Sequence, residues 1–74
     1  STSNVSFTLL EKGEVLVELV DLQGRVLSVI SNGARTEGNH NIAFDASDLA
    51  AGTYAIRLSV DGAELSTQRI VKSK

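Results

Sequence analysis

The sequence contains no cysteine, no proline, no methionine and no tryptophan in its 74 residues. Without cysteine the chain forms no disulfide, and it has no thiolate to act as a nucleophile or a metal ligand. Without proline it lacks one of the common devices that protect the edge strands of sheets. Because no methionine stands at its start, we expect the chain to be a piece of a larger precursor.

Aromatic side chains, excess charge and long apolar runs are also scarce. The aromatic residues are Phe7, Phe44 and Tyr54, and seven basic residues stand against nine acidic ones. This composition excludes the basic stripe of a nucleic-acid-binding protein and the stacking platform that single strands need. The longest apolar run, residues 15–20, is interrupted by Glu18 and is far shorter than the roughly 20 residues of a membrane helix. We therefore expect no nucleic-acid partner and no membrane span.

The apolar residues alternate with a period of two, which is typical of strands with one buried face. A chain of this length holds one domain, residues 1–74, and buries only about 60% of its unfolded surface. The pattern predicts six strands, and the clearest places Tyr54, Ile56, Leu58 and Val60 on one face. The predicted strands are residues 5–9, 15–20, 25–30, 41–45, 54–60 and 63–71.

Turn signals separate these strands. Residues 21–24 form a predicted tight turn in which Gly24 adopts a positive φ, and Asp61-Gly62 is the pair favoured in two-residue hairpins. Residues 31–39, with Asn32-Gly33 and a second glycine, are interpreted as a loop. Residues 46–51 are expected to hold one helical turn that begins at Ser47 or Asp48. Together these features predict an all-β fold, a small antiparallel immunoglobulin-like β-sandwich of about six to seven strands.

The segment from Leu49 to Tyr54 is the most informative short motif. A glycine at position 52 precedes by two residues a tyrosine that opens a strand, which resembles the tyrosine corner of Greek-key sandwiches. In such a corner the ring packs at the edge of the core, and the hydroxyl bonds to the backbone a few residues upstream. We expect Gly52 to permit the bend and the close approach, and Tyr54 to have a structural role.

Four blocks of sequence carry a resemblance to a known family. Residues 17–26 are a strand followed by Asp-x-x-Gly-Arg (Asp21, Gly24, Arg25), and residues 38–42 place a histidine two residues after a glycine. Residues 48–58 contain the tyrosine motif, and residues 66–72 form the last strand, close to the end of the chain. In order and spacing these blocks are similar to the type A C-terminal sorting domain of proteins exported by the type IX secretion system.

The resemblance implies a role as an address label on exported cargo. Such domains pass through the periplasm and guide their cargo through an outer-membrane translocon. A sortase-like protease then usually removes them at the cell surface. As a hypothesis, residues 68–74 form the address, because a partner can add a strand to an exposed sheet edge. Its recognition residues would be Arg69, Ile70, Val71, Lys72 and Lys74.

The sequence offers little chemistry for catalysis or metal binding. His40 lies near Asp45, Ser47 and Asp48, but no Gly-x-Ser-x-Gly elbow accompanies them, so we expect no enzyme and a solvent-facing histidine in a loop. The same Asp45, Ser47 and Asp48 are too few for the six to eight oxygen ligands of calcium. We expect no metal and no cofactor.

Two alternatives remain beside the sorting domain. The first is an immunoglobulin-like accessory or spacer domain, whose strand and Asp-x-x-Gly-Arg pattern is similar. The second is a carbohydrate-binding module. Such a module would need exposed Trp or Tyr side chains on one face, and Tyr54 is the only residue of either type in the sequence. Self-association through unprotected edge strands is a further expectation.

Overall fold

The computed structural model describes residues 2–47 and 49–73, with the backbone alone for residues 2 and 3. In this part of the chain six strands form two antiparallel sheets, as predicted for a β-sandwich. The small sheet has the order β1-β4 and the large sheet the order β3-β2-β5-β6. The strands are β1 Thr2–Leu9, β2 Gly13–Val20, β3 Val26–Arg35, β4 Gly38–Asp45, β5 Gly52–Val60 and β6 Ala63–Lys72.

The core lies between the two sheets and comes from the alternating apolar positions. Val5, Leu9 and Ile42 of the small sheet meet the large sheet's buried residues, which are Val15, Val17, Leu19, Ile56 and Leu58. Alternation places these side chains on one face of each strand and leaves the other face outside. Since two strands cannot cover four, the flanks of the large sheet remain largely exposed.

The third strand is longer than the sequence predicted, and the loop assigned to residues 31–39 was wrong. Residues 31–35 continue β3, residues 38 and 39 begin β4, and only Thr36 and Glu37 connect the two strands. Asn32 and Gly33 pair with Leu16 and Val15 of β2, so pairing with a neighbouring strand overrides their local preference for a turn. β3 also has two register shifts against β2, between Val17 and Glu18 and between Leu19 and Val20.

The described residues of the connection between β4 and β5 form a turn and no helix. The Leu49 N–H donates to the Ala46 carbonyl at 3.1 Å. No helix occurs in the described residues, and Asp48 lies outside them. No helix in residues 2–47 and 49–73 is long and apolar enough to cross a membrane.

The hairpin between β5 and β6 has the predicted two-residue turn. Asp61 and Gly62 have φ values of 52° and 86°, and two positive φ values are what a type I′ turn requires. The turn also contacts β2. The Asp61 N–H donates to the Glu14 carbonyl at 2.8 Å, and the Glu14 N–H donates to Oδ1 of Asp61 at 2.9 Å.

Candidate functional site

The Asp21 loop joins β2 to β3 and is organised by one carboxylate. Oδ1 of Asp21 accepts hydrogen bonds from the N–H groups of Gln23 and Arg25, both at 2.9 Å. Oδ2 accepts one from Nε of Arg25 at 2.8 Å. Gly24 has a φ of 87°, and its N–H donates to the Asp21 carbonyl. The Asp-x-x-Gly-Arg motif is therefore a self-bonded turn, and these bonds lower the pKa of Asp21, with the Arg25 backbone bond as the largest cause.

The segment that crosses from the small sheet to the large one is fixed at two points. The Tyr54 hydroxyl donates to the Ala50 carbonyl at 2.7 Å, which is the bond that a tyrosine corner contains. Nζ of Lys72 donates to the Ala46 carbonyl at 2.9 Å, and Leu49 packs against the core. Lys72 thus ties the end of β6 to the crossing segment.

Gly52 serves the bend at the start of β5. Its φ is 157°, a value that residues with a side chain rarely adopt. A Cβ at this position would lie 3.9 Å from the Tyr54 ring and hydroxyl, which is an ordinary contact distance. The backbone conformation and not a close approach to the ring therefore requires this glycine.

His40 lies in β4 and not in a solvent-facing loop, which corrects the sequence-based expectation. Its half-buried ring stacks on Phe7, with ring centroids 5.4 Å apart, and its Nε2 lies 2.7 Å from the Thr36 carbonyl oxygen. Asp45 stands five residues further along the same strand, about 17 Å away in an extended chain. This spacing along one strand is incompatible with a catalytic triad of His40, Asp45 and Ser47.

Asp45, one of the residues considered as a calcium ligand, accepts a hydrogen bond within the chain. Oδ1 of Asp45 accepts a hydrogen bond from the Ser47 N–H at 2.9 Å, and this bond is the largest cause of the lowered pKa of Asp45. Asp48, the third member of the predicted group, lies outside the described residues. Within residues 2–47 and 49–73 no cluster of three or more potential metal ligands occurs.

Sequence reasoning missed an ion pair at the centre of the large sheet's outer face. Nε and Nη2 of Arg57 lie 3.1 and 3.0 Å from Oε1 of Glu18, across the β2–β5 pair. Glu18 is only 8% exposed. The sequence held a signal, because Glu18 interrupts the apolar run of residues 15–20 and Arg57 is the one charged residue of β5. Only the register, however, brings the two side chains together.

Four of the five proposed recognition residues lie on β6, one of the two edge strands of the large sheet. β6 pairs only with β5 in the described part of the chain, and every side chain from residue 63 to 69 is exposed. Arg69 and Val71 pair with Ala55 and Thr53 and share the outer face, whereas Ile70 pairs with Tyr54 and packs against the core. Lys74 lies outside the described residues.

The comparison with protein families identifies the chain. A family described as the secretion system C-terminal sorting domain matches residues 1–73. The chain belongs to this family. No curated protein and no solved structure matches it.

Membership assigns the function at the level of the pathway. The sorting domain is a C-terminal signal for the type IX secretion system, which exports its cargo to the cell surface or beyond. The family consists of sorting signals and not of catalytic domains. Nothing in the fold or the comparisons favours the accessory-sandwich alternative.

Proposed function

We propose that the outer-membrane translocon recognises the sorting domain, residues 1–74 taken as one unit, by adding a strand to the free edge of β6. The observation that carries the proposal is the exposure of β6, because a strand in a sandwich normally buries at least one face. A free edge supplies backbone hydrogen bonds for affinity, and the neighbouring side chains supply specificity.

The geometry of the two outer strands of the large sheet supports the choice of β6. From Ser66 to Lys72 its register with β5 runs without a shift, whereas β3 is interrupted twice within its pairing with β2. A bulge twists an edge away and hinders strand addition. β6 therefore offers the longer regular edge of that sheet.

Of the recognition residues on β6, two face outward toward a partner and two hold the strand to the rest of the domain. Arg69 has no hydrogen bond or ion pair with the described residues, and Val71 is 72% exposed. We infer that these two side chains meet the partner, with an acidic group opposite Arg69. Ile70 and Lys72 instead hold β6 against the core and the crossing segment. Lys74 completes the basic end of the proposed address.

The proposal also covers the route of the cargo. The domain passes through the periplasm, engages the translocon, and is removed at the surface by a sortase-like protease. Strand addition at β6 leaves the sandwich intact, so the same folded domain serves as the signal until its removal.

The test is an export assay with matched valine variants. The chain is fused to the C-terminus of a periplasm-directed fluorescent protein in a host with a type IX system, with a translocon-deficient strain beside it. We expect Val71→Asp and Arg69→Glu to trap the reporter in the periplasm, and Val29→Asp on the opposite edge strand to be exported. If circular dichroism shows that all three variant domains are folded and all three are exported equally, the proposal of an address on β6 is refuted.

A further inference from the structure

The backbone groups of the large sheet alternate in direction, and one hydrogen bond fixes which way they point. In an antiparallel pair, facing residues that exchange both N–H···O bonds alternate with facing residues that exchange none. The Asp61 N–H donates to the Glu14 carbonyl, so Glu14 and every second residue after it in β2 direct their backbone groups at β5. Their partners in β5, which direct their own groups back at β2, are Ser59, Arg57 and Ala55.

The remaining residues of β5 bond to β6, and this leaves alternate residues of β6 with backbone groups at the open edge. The residues of β6 that bond to β5 are Ser66, Gln68, Ile70 and Lys72. The backbone groups of Thr67, Arg69 and Val71 therefore point away from β5, and β6 pairs with no other strand in the described part of the chain. Beyond Ser66 the register skips Leu65, so the regular edge begins at Thr67.

The same three residues present their side chains on the outer face of the large sheet. Ile56 and Leu58 of β5 face the core, so the positions between them, and the β6 residues paired with those positions, face outward. These outward residues of β6 are Thr67, Arg69 and Val71, and all three are exposed. In an antiparallel pair, directly opposite residues lie on the same face and touch. The residues of an added strand that face these three therefore meet their side chains.

Arg69 is the cation of this outer face that has no carboxylate partner among the described residues. Arg57 is paired with Glu18 at 3.0 Å. Asp21 and Glu64 line the same cleft as Arg69, but Asp21 is bonded within its own loop and Glu64 accepts the Thr67 hydroxyl at 2.9 Å. Neither carboxylate forms an ion pair with Arg69. An acidic residue opposite Arg69 thus supplies a partner that the domain itself does not.

We propose that β6 accepts an antiparallel segment with an apolar residue opposite Val71, an acidic residue opposite Arg69 and a threonine opposite Thr67. Since the segment runs against β6, its own sequence has the pattern apolar-x-acidic-x-Thr. The antiparallel direction is the slightly more stable one per residue, and a cross-strand pair of threonines is favourable. This pattern rests on the proposed address at β6, because it describes the segment that the translocon supplies.

The probe is the peptide TVVETTS, capped at both ends, whose first valine faces Val71 and whose glutamate faces Arg69. It is titrated into the isotope-labelled 74-residue chain while amide shifts and amide hydrogen exchange are followed. We expect saturable shifts along β6 and slower exchange at Thr67, Arg69 and Val71, whose N–H groups are open before binding. Exchange at Gln68 and Ile70 is already slow, because these residues bond to β5, and should change little.

A charge swap tests the residue opposite Arg69. Arg69→Glu should weaken the binding of TVVETTS about fivefold, because a cross-strand pair of opposite charges becomes a pair of like charges. The peptide TVVKTTS should bind Arg69→Glu more tightly than it binds the unchanged domain. Lys12→Glu is the matched control, because it reverses an exposed cation in the connection between β1 and β2, and it should leave the binding of TVVETTS unchanged.

Three results would overturn the proposed pattern. They are the absence of a saturable shift at millimolar peptide, equal binding of the reversed sequence STTEVVT, and a loss from Lys12→Glu as large as that from Arg69→Glu. The export assay separates this pattern from the address itself. If TVVETTS binds as expected but Arg69→Glu and Val71→Asp domains are exported normally, the strand site stands and the address is wrong. If both variants block export and TVVETTS does not bind, the address stands and the pattern is wrong.

Discussion

At the scale of single residues, the Tyr54 hydroxyl holds the segment that crosses between the sheets. Its bond to the Ala50 carbonyl is 2.7 Å long. We expect Tyr54→Phe to lower the free energy of unfolding by about 1 kcal/mol, because the hydrogen bond that ties the crossing segment to β5 is lost. Urea denaturation measures this loss.

A matched control, Thr8→Val, separates the effect of losing the Tyr54 hydrogen bond from the general effect of removing a hydroxyl group. Thr8 donates to Asn39, its partner in the β1–β4 register. Backbone pairing already joins these two strands, so Thr8→Val should change stability far less. Equal losses of unfolding free energy for Tyr54→Phe and Thr8→Val would show that the tyrosine corner stabilises the domain no more than an ordinary side-chain hydrogen bond.

The Glu18–Arg57 pair should matter more than the exposed Asp21–Arg25 pair. Arg57→Met leaves the Glu18 carboxylate, 11% exposed as a side chain, without its donor, and we expect a loss of about 1–2 kcal/mol. Arg25 is 76% exposed, so Arg25→Met should cost clearly less than Arg57→Met. Thermal and urea unfolding of both variants compare them directly. A larger loss from Arg25→Met would mean that burial does not set the strength of these pairs.

Residues whose partners are close in sequence could be predicted, and residues with distant partners could not. The turn at Asp21 and the tyrosine corner each depend on contacts within four residues, so the local pattern contains them. Glu18 and Arg57 are 39 residues apart, and only the strand register joins them. His40 was misplaced for the same reason, because its position depends on where β3 ends.

At the scale of strands, Gly13 marks the tightest contact between β2 and the β5–β6 hairpin. A Cβ at Gly13 would lie 2.8 Å from Cγ1 of Val60 and 3.1 Å from Oδ2 of Asp61. We expect Gly13→Ala to destabilise the domain by about 1–3 kcal/mol, since the hairpin must move to admit the methyl group. Chemical denaturation gives the value.

Gly33 is the matched control for this prediction. It lies in β3 beside Val15, and a Cβ there would meet no atom within 4 Å. Gly33→Ala should therefore be neutral or slightly stabilising, because alanine restricts the unfolded chain more than glycine does. A larger loss from Gly33→Ala than from Gly13→Ala would contradict the packing argument.

The extent of β3 shows where strand prediction from sequence reaches its limit. Two bulges shift the alternation of Val26, Leu27, Val29 and Ile30, so the period of two is lost within the strand. Asn32-Gly33 then imitates a hairpin turn. By contrast β5 pairs on both sides with only one shift, and its alternation in the sequence is regular.

At the scale of the whole molecule, the sandwich class followed from six alternating segments, but the division into sheets did not. Strand order depends on which edges meet, and most of these contacts join residues distant in sequence. The pairing of β1 with β4 instead of β2 could not be derived from period or turn length. In the described residues the strand order leaves β1 and β4 as the edges of the small sheet and β3 and β6 as the edges of the large sheet.

At this scale two carboxylates in different connections, Asp21 and Asp45, contribute to the acid stability of the domain. In the folded protein, hydrogen bonds to their carboxylates lower the pKa of both Asp21 and Asp45 below the ordinary value of 3.8. A lowered folded pKa means that the unfolded chain binds the proton more tightly. Their contribution is therefore complete above about pH 4 and is lost as the pH falls through the folded values.

We expect the free energy of unfolding to decline from about pH 4 downward, with a shallower decline in Asp21→Asn. Asparagine does not titrate, and its amide nitrogen cannot accept the Arg25 bond, so this variant starts less stable at neutral pH. The double variant Asp21→Asn/Asp45→Asn should decline least. Urea denaturation at several pH values between 2 and 7 measures the slopes. An unchanged acid slope in Asp21→Asn would mean that its loop bonds do not couple protonation to folding.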